Sequence, residues 1–212
     1  MIKKLLLTIT MLFLAGSAVA QDSSLTKLPP PQIDNQKSLV QALTERKSTR
    51  SFSTRQLPAQ ILSNLLWSAF GINRPDTGRR TAPSAVNRRE IDIYVATAEG
   101  VYIYDAKQHA LKQILKQDIR LLTGKQSFTG EAPVNLIYVA DLSRMGDASA
   151  EEKTFYSAAD TGFISQNVYL YCAAEKLATV VRGLIDRDEL AHALKLKNTQ
   201  KIILAQTVGY PK

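Results

Sequence analysis

"RKSTRSF", Arg46 to Phe52, places three cations and three hydroxyls in seven residues, directly after a stretch with helical spacing. Such groups converge readily on an anion. Arginine offers a planar fork, lysine a point charge and serine a short hydroxyl, and each charge-assisted hydrogen bond is worth about 1.5–3 kcal/mol. Taken alone, the heptapeptide reads equally as a solvated basic turn. The rest of the chain has to decide between the two.

Upstream, Ser38 to Glu45 reads as a helix with Leu39, Val40 and Leu43 facing inward. Before it, residues 21–35 are polar and contain Pro29-Pro30-Pro31, the composition of an extended leader. Residues 1–20 have the form of a signal peptide: Lys3 and Lys4, then the apolar run Leu5 to Gly16, then Ala18-Val19-Ala20 before Gln21. That run is below the ~20 residues a membrane-spanning helix needs. The expectation is a periplasmic or secreted protein, exported unfolded, with no stable membrane insertion after cleavage.

Without residues 1–20, 192 residues remain, and the loss of Lys3 and Lys4 takes the formal charge from +8 to +6. That length suits one domain, residues 36–212, with a full-sized core. A nucleic-acid surface would need a basic stripe with interleaved aromatics or a recognition motif, and neither is present. The single cysteine, Cys172, allows no intramolecular disulfide. It shares helix-core spacing with Ile164, Val168 and Tyr171. His109 and His192 are isolated, so neither a metal site nor a Ser-His-Asp arrangement has support. Chemistry in such a chain belongs to a bound cofactor rather than to a protein nucleophile.

Downstream, Pro58 to Phe70 reads as a second helix with Ile61, Leu62, Leu65, Leu66 and Ala69 as its stripe and Gly71 as its stop. Residues 72–90 read as loop. Ile91 to Thr97 and Val101 to Asp105 form a predicted hairpin, Leu111 to Thr123 reads as part helix, and Val134 to Ala140 as a buried strand. Phe155 to Leu177 is the longest predicted helix. Asp186 with Glu189 opens another to Leu196, and Ile202 to Val208 closes as a strand. Without regular βαβ alternation, the class is α+β.

The heptapeptide resembles the opening FMN-binding motif of the nitroreductase family of flavoproteins, which includes SagB-type oxidoreductases. Four further segments follow in that family's order: "WSAFGINR" with "RRTAPSAVNRREIDIYV", "GKQSFTGEAPVNLIYVA", "DTGFISQNVYLYCAAEKLATVVRG" and "TVGYPK". The resemblance covers about residues 36–212. It implies a central, mostly antiparallel sheet flanked by helices, in a homodimer that holds two FMN at the subunit interface. On it, Arg46, Ser48 and Arg50 hold the phosphate and ribityl chain, and Lys47 adds to that field. Pro83, Ser84, Ala85 and Asn87 touch the flavin held mainly by the partner subunit; otherwise they form a tight loop into strand 91–97. Gln126 meets the flavin pyrimidine edge, where an amide can donate and accept at once; its other reading is an exposed helix residue. Val181, Arg182 and Gly183 correspond to a loop that reaches the isoalloxazine largely through backbone. Lys212 is the candidate for the basic residue that returns to the phosphate.

The implied activity is FMN-dependent transfer of hydride from NAD(P)H or another small-molecule donor to an acceptor such as a nitroaromatic or quinone, with no catalytic side chain and no metal. A cation near the ring's N1 and O2, Arg50 or Lys47, would stabilise the reduced anion. Two alternatives stand beside it: a non-catalytic exported flavin-binding protein, and a peptide-azoline oxidase, for which no peptide-binding domain is encoded. The sequence departs from the family in its short C-terminus, without the arm that many members wrap around the partner, and in its export signal. An exported member must acquire flavin outside or fold around it after transport.

Overall fold

The computed structural model describes residues 25–32 and 37–212. The predicted signal peptide and much of the leader, residues 21–24 and 33–35, lie outside the described residues. The strands are β1 Leu25–Lys27, β2 Ile72–Arg74, β3 Arg79–Arg80, β4 Ile91–Thr97, β5 Gly100–Asp105, β6 Ala110–Leu115, β7 Val134–Asp141, β8 Ala178–Arg182 and β9 Gln200–Gly209. The helices are α1 Leu39–Glu45, α2 Ala59–Phe70, α3 Phe128–Glu131, α4 Ala150–Ala174 and α5 Arg187–Ala193.

Seven strands form one sheet in the order β1-β6-β5-β4-β7-β9-β8, and every neighbouring pair is antiparallel. The two-residue side-chain period sorts its central strands between two apolar layers. Ile91, Ile93 and Val95 of β4, with Leu136, Tyr138 and Ala140 of β7, join α2 and α4. Their alternates, Tyr94, Ala96, Ile137 and Val139, pack with Ile119 and with Leu190 of α5. Both faces are therefore covered at the centre, so β7 reads as a continuous apolar run from Leu136 to Ala140. The predicted α+β architecture, an antiparallel sheet flanked by helices, is the one observed.

Ile164, Val168, Tyr171 and Cys172 form the buried face of α4, at the spacing read from the sequence. Burial pushes the Cys172 thiol well up, so it packs as an apolar group. The helix starts earlier than predicted, at Ala150 rather than Phe155. A capping box explains the start: Ser149 Oγ accepts from Glu152 N at 3.1 Å, and Glu152 Oε2 accepts from Ser149 N at 2.8 Å. At the other end Lys176 turns left-handed (φ 57°), and Leu177 lies beyond the helix.

Four further readings are corrected. Residues 111–123 are strand β6 followed by a 3-10 turn, Arg120–Thr123, because pairing with β5 and β1 overrides a pattern that fits either period. Within 72–90, β2 and β3 form a small hairpin and Ala85–Asn87 a 3-10 turn. Leu39, Val40 and Leu43 of α1 do not face inward; they are 65%, 72% and 51% exposed, and only Ala42 is buried. Finally, the leader is extended but also docked. Residues 25–27 add an edge strand to β6, and the prolines, which lack N–H groups, offer carbonyls to α2. Ser63 Oγ donates to Pro29 O at 2.6 Å and Gln60 Nε2 to Pro30 O at 2.9 Å. Among the described residues, no helix is long and apolar enough to cross a membrane.

Candidate functional site

After α1 the chain runs extended across the end of the sheet. Thr49 N donates to Thr179 O at 2.9 Å, Ser53 N donates to Tyr210 O at 2.8 Å, and Phe52 bridges to Pro211. Phe52 is fully buried against Phe128 (ring centroids 5.4 Å apart), Ala132, Ala178 and Val180. This apolar anchor leaves Lys47, Ser48 and Arg50 free to border a cleft of about 880 Å³. Lys176 from the end of α4 and Lys212 from the C-terminus line the same cleft. Lys212 Nζ also donates to Glu131 Oε2 at 2.7 Å. Among the described residues the one Asp or Glu on the rim is Glu45, already held by Lys37 and Gln41. Lysine ammoniums, a guanidinium and a hydroxyl thus surround a space with little opposing charge.

Arg46 is not on that rim. Its guanidinium lies 5.3 Å from the centre of the Tyr169 ring. The Tyr169 hydroxyl is 2.8 Å from Ser48 Oγ and 2.9 Å from Val181 N.

Val181 and Arg182 are not loop residues: they end strand β8, paired with Gln206 and Ala205 of β9. The strand turns the Arg182 side chain inward. Its Nε donates to Thr207 Oγ1 at 3.0 Å, one terminal nitrogen to Thr123 O at 2.6 Å and the other to Asn135 Oδ1 at 3.0 Å. No carboxylate pairs with it among the described residues, and burial pushes its pKa down to about 10. Gly183 is exposed, and a Cβ there would meet only Leu204, at 3.7 Å, so the fold itself demands no glycine. Gly124 is different, since a Cβ would lie 1.9 Å from an Arg182 nitrogen and 2.8 Å from Gln126 Oε1. Gln126 precedes α3 rather than riding on a helix, and its Oε1 is buried without a hydrogen-bond partner among the described residues.

The 83–89 loop hangs from another part of α4. Ala85 N donates to Asp160 Oδ2 at 2.9 Å, Ser84 Oγ accepts from Arg89 N at 3.0 Å, and Asn87 Oδ1 accepts from Arg89 Nε at 3.0 Å. Asp160 lies nine residues before Tyr169, about 13 Å along the helix. Pro83, Ser84, Ala85 and Asn87 are therefore not brought to the cleft of their own chain.

The sequence profile of the Nitroreductase family matches residues 43–210. A Methanocaldococcus jannaschii protein that carries the nitroreductase name is 30% identical over 184 residues, which is 82% of this chain and 92% of that one. The chain belongs to the nitroreductase family. A crystal structure of a nitroreductase-named protein from Ralstonia eutropha JMP134 is 40% identical, with a TM-score of 0.86 over 92% of this chain and 93% of that one. The NADPH:FMN oxidoreductase of Vibrio harveyi, solved with NAD+, shares the fold at 17% identity and a TM-score of 0.61, over 82% and 69% of the two chains.

The residues of this nitroreductase-family chain fit a flavin mononucleotide on two counts. The cleft presents the donors a phosphate monoester requires. The unpartnered Gln126 oxygen is a buried acceptor that a ring imide N–H would satisfy. Motif reading missed Tyr169, which carries no local signature, and named Arg182 as a loop residue without its inward placement.

It also missed Glu90, which is fully buried beside Asp160 with neither oxygen hydrogen-bonded among the described residues. Two ionised carboxylates are both acceptors, so a proton on Glu90 turns their repulsion into a hydrogen bond. Burial first, and then the Asp160 charge, push the Glu90 pKa from 4.5 up to about 7; the Glu90 backbone N–H and, more weakly, the Arg88 charge offset only part of this. A raised carboxyl pKa means the folded state holds the proton more tightly. This contribution is full below about pH 4.5 and is lost as pH rises through about 7, by at most about 3 kcal/mol. Urea unfolding should show a lower midpoint at pH 8.5 than at pH 5.5, and Glu90→Gln should flatten the difference. Equal pH profiles for the two proteins would refute the assignment.

Proposed function

We propose that the protein is an FMN-dependent oxidoreductase that takes reducing equivalents from NAD(P)H or another small donor and delivers them to a small acceptor of the nitroaromatic or quinone type. The observation that carries this reading is the cleft in which Lys47, Ser48, Arg50 and Lys212 converge at the sheet's end, on a chain of this family. When bound, FMN supplies the redox chemistry, cycling between oxidised and two-electron-reduced forms. Lys47, Ser48 and Arg50 hold its phosphate, and Arg46 adds to the local field. Gln126 orients the pyrimidine edge. Lys47 or Arg50 supplies positive charge to the reduced ring.

The family resemblance supports a homodimer, and the surface agrees with it. Leu39, Val40 and Leu43 of α1, with Phe155 and Phe163 of α4, are exposed apolar side chains on two helices that pack together. In a dimer, the 83–89 loop, which cannot serve its own cleft, would reach the partner's flavin. Residues 1–20 support export to the periplasm or beyond.

One preparation of native protein from the envelope fraction tests these points together. It should be yellow, bleach anaerobically with a reductant, release FMN identified by mass, and scatter light as two chains. Colourless protein that stays colourless with added FMN would overturn the proposal. Stoichiometric flavin without turnover by any nicotinamide or quinone pair would favour the non-catalytic binding protein.

A further inference from the structure

Ser48 is the one neutral hydroxyl in the heptapeptide that borders the cleft and also touches the helix behind it. Its Oγ lies 2.8 Å from the Tyr169 hydroxyl, which lies 2.9 Å from Val181 N. Either hydroxyl could donate in the Ser48–Tyr169 pair, and the other contact of the phenol selects one polarity. A backbone N–H only donates, so Val181 occupies an acceptor site on the Tyr169 oxygen. The phenol has a single hydrogen, and Ser48 Oγ is the acceptor placed to take it. Once Ser48 Oγ receives that hydrogen, its own hydrogen is free to turn toward the cleft.

We infer that Tyr169 is a positioning residue: it sets the Ser48 hydroxyl as a donor to the anion held in the cleft, and so couples strand β8 to phosphate recognition. The inference rests on the flavin mononucleotide reading. Each donor in a chain of hydrogen bonds polarises the next, so the last hydroxyl donates more strongly than an isolated serine. The ring also carries the Arg46 guanidinium on its face, at 5.3 Å. One side chain of α4 thereby organises two members of the heptapeptide, although only one of them borders the cleft.

The test compares FMN with riboflavin, which keeps the ring but lacks the phosphate. Purified protein freed of bound ligand is titrated with each, as wild type, Tyr169→Phe, Ser48→Ala and the double variant. Tyr169→Phe keeps the ring under Arg46 and removes only the hydroxyl. It should weaken FMN about tenfold and leave riboflavin within about twofold, the size of one lost hydrogen bond. The double variant should bind FMN no more than about twofold more weakly than Ser48→Ala, because the two act as one unit. The inference is overturned if Tyr169→Phe retains FMN affinity, weakens both flavins equally, or adds its full effect to that of Ser48→Ala. A wild type that binds neither flavin removes the underlying reading and this inference with it.

Discussion

Arg46→Ala combined with Arg50→Ala is expected to weaken FMN binding by about a hundredfold or more, with the thermal midpoint of the ligand-free protein nearly unchanged. Each charged hydrogen bond lost to a phosphate is worth about 1.5–3 kcal/mol, so the loss of the Arg50 fork from the cleft, together with the field of Arg46 behind it, reaches that range. The fold has little stake in either group. Arg50 is exposed, Arg46 half-buried on the face of Tyr169, and neither has an ion-pair partner among the described residues. Surface substitutions of that kind shift stability by about 0.5 kcal/mol. Fluorescence titration with FMN and a ligand-free thermal melt separate the two effects. Full flavin content in the double variant would contradict the site.

Phe52→Ala is expected to have the opposite profile, a large loss of stability followed by loss of ligand. The ring is fully buried against Phe128, Ala132, Ala178 and Val180, where its removal leaves a cavity. Phenylalanine-to-alanine changes at such positions cost about 3–5 kcal/mol, which is roughly 10 °C in a domain of this size. Because Phe52 pins the heptapeptide to the end of β9, the cations just before it lose their fixed placement as well. Phe52→Leu retains most of the apolar volume and should recover most of both losses. A thermal shift below about 2 °C for Phe52→Ala would show that the heptapeptide is held by its backbone bonds alone.

The two substitutions touch the ends of one short motif, and its legibility was just as divided. The density of cations and hydroxyls was visible because it is a property of adjacent residues. That Phe52, and not a further polar group, anchors the motif became clear only in the packed structure. Strands 91–97 and 134–140 and the stripe at 164, 168, 171 and 172 were readable for the same local reason. A two-residue or 3.6-residue period repeats within a few positions and does not depend on the rest of the chain. Leu39, Val40 and Leu43 show the limit of such periodicity: it says that an apolar face exists but not what covers it.

Residues 110–115 show another limit, since "ALKQIL" fits either period and became strand by pairing with β5 and β1. The local patterns of this sequence determined an α+β chain with an anion-directed cluster ahead of its second helix. Tertiary structure alone decided which distant groups complete that cluster. Ser48 meets Tyr169 across 121 positions, Arg182 meets Thr123 across 59, and Ala85 meets Asp160 across 75. Such partners are selected when the sheet closes and water leaves, because a buried polar group must then find a mate or carry the cost of lacking one. No spacing along the chain records that requirement.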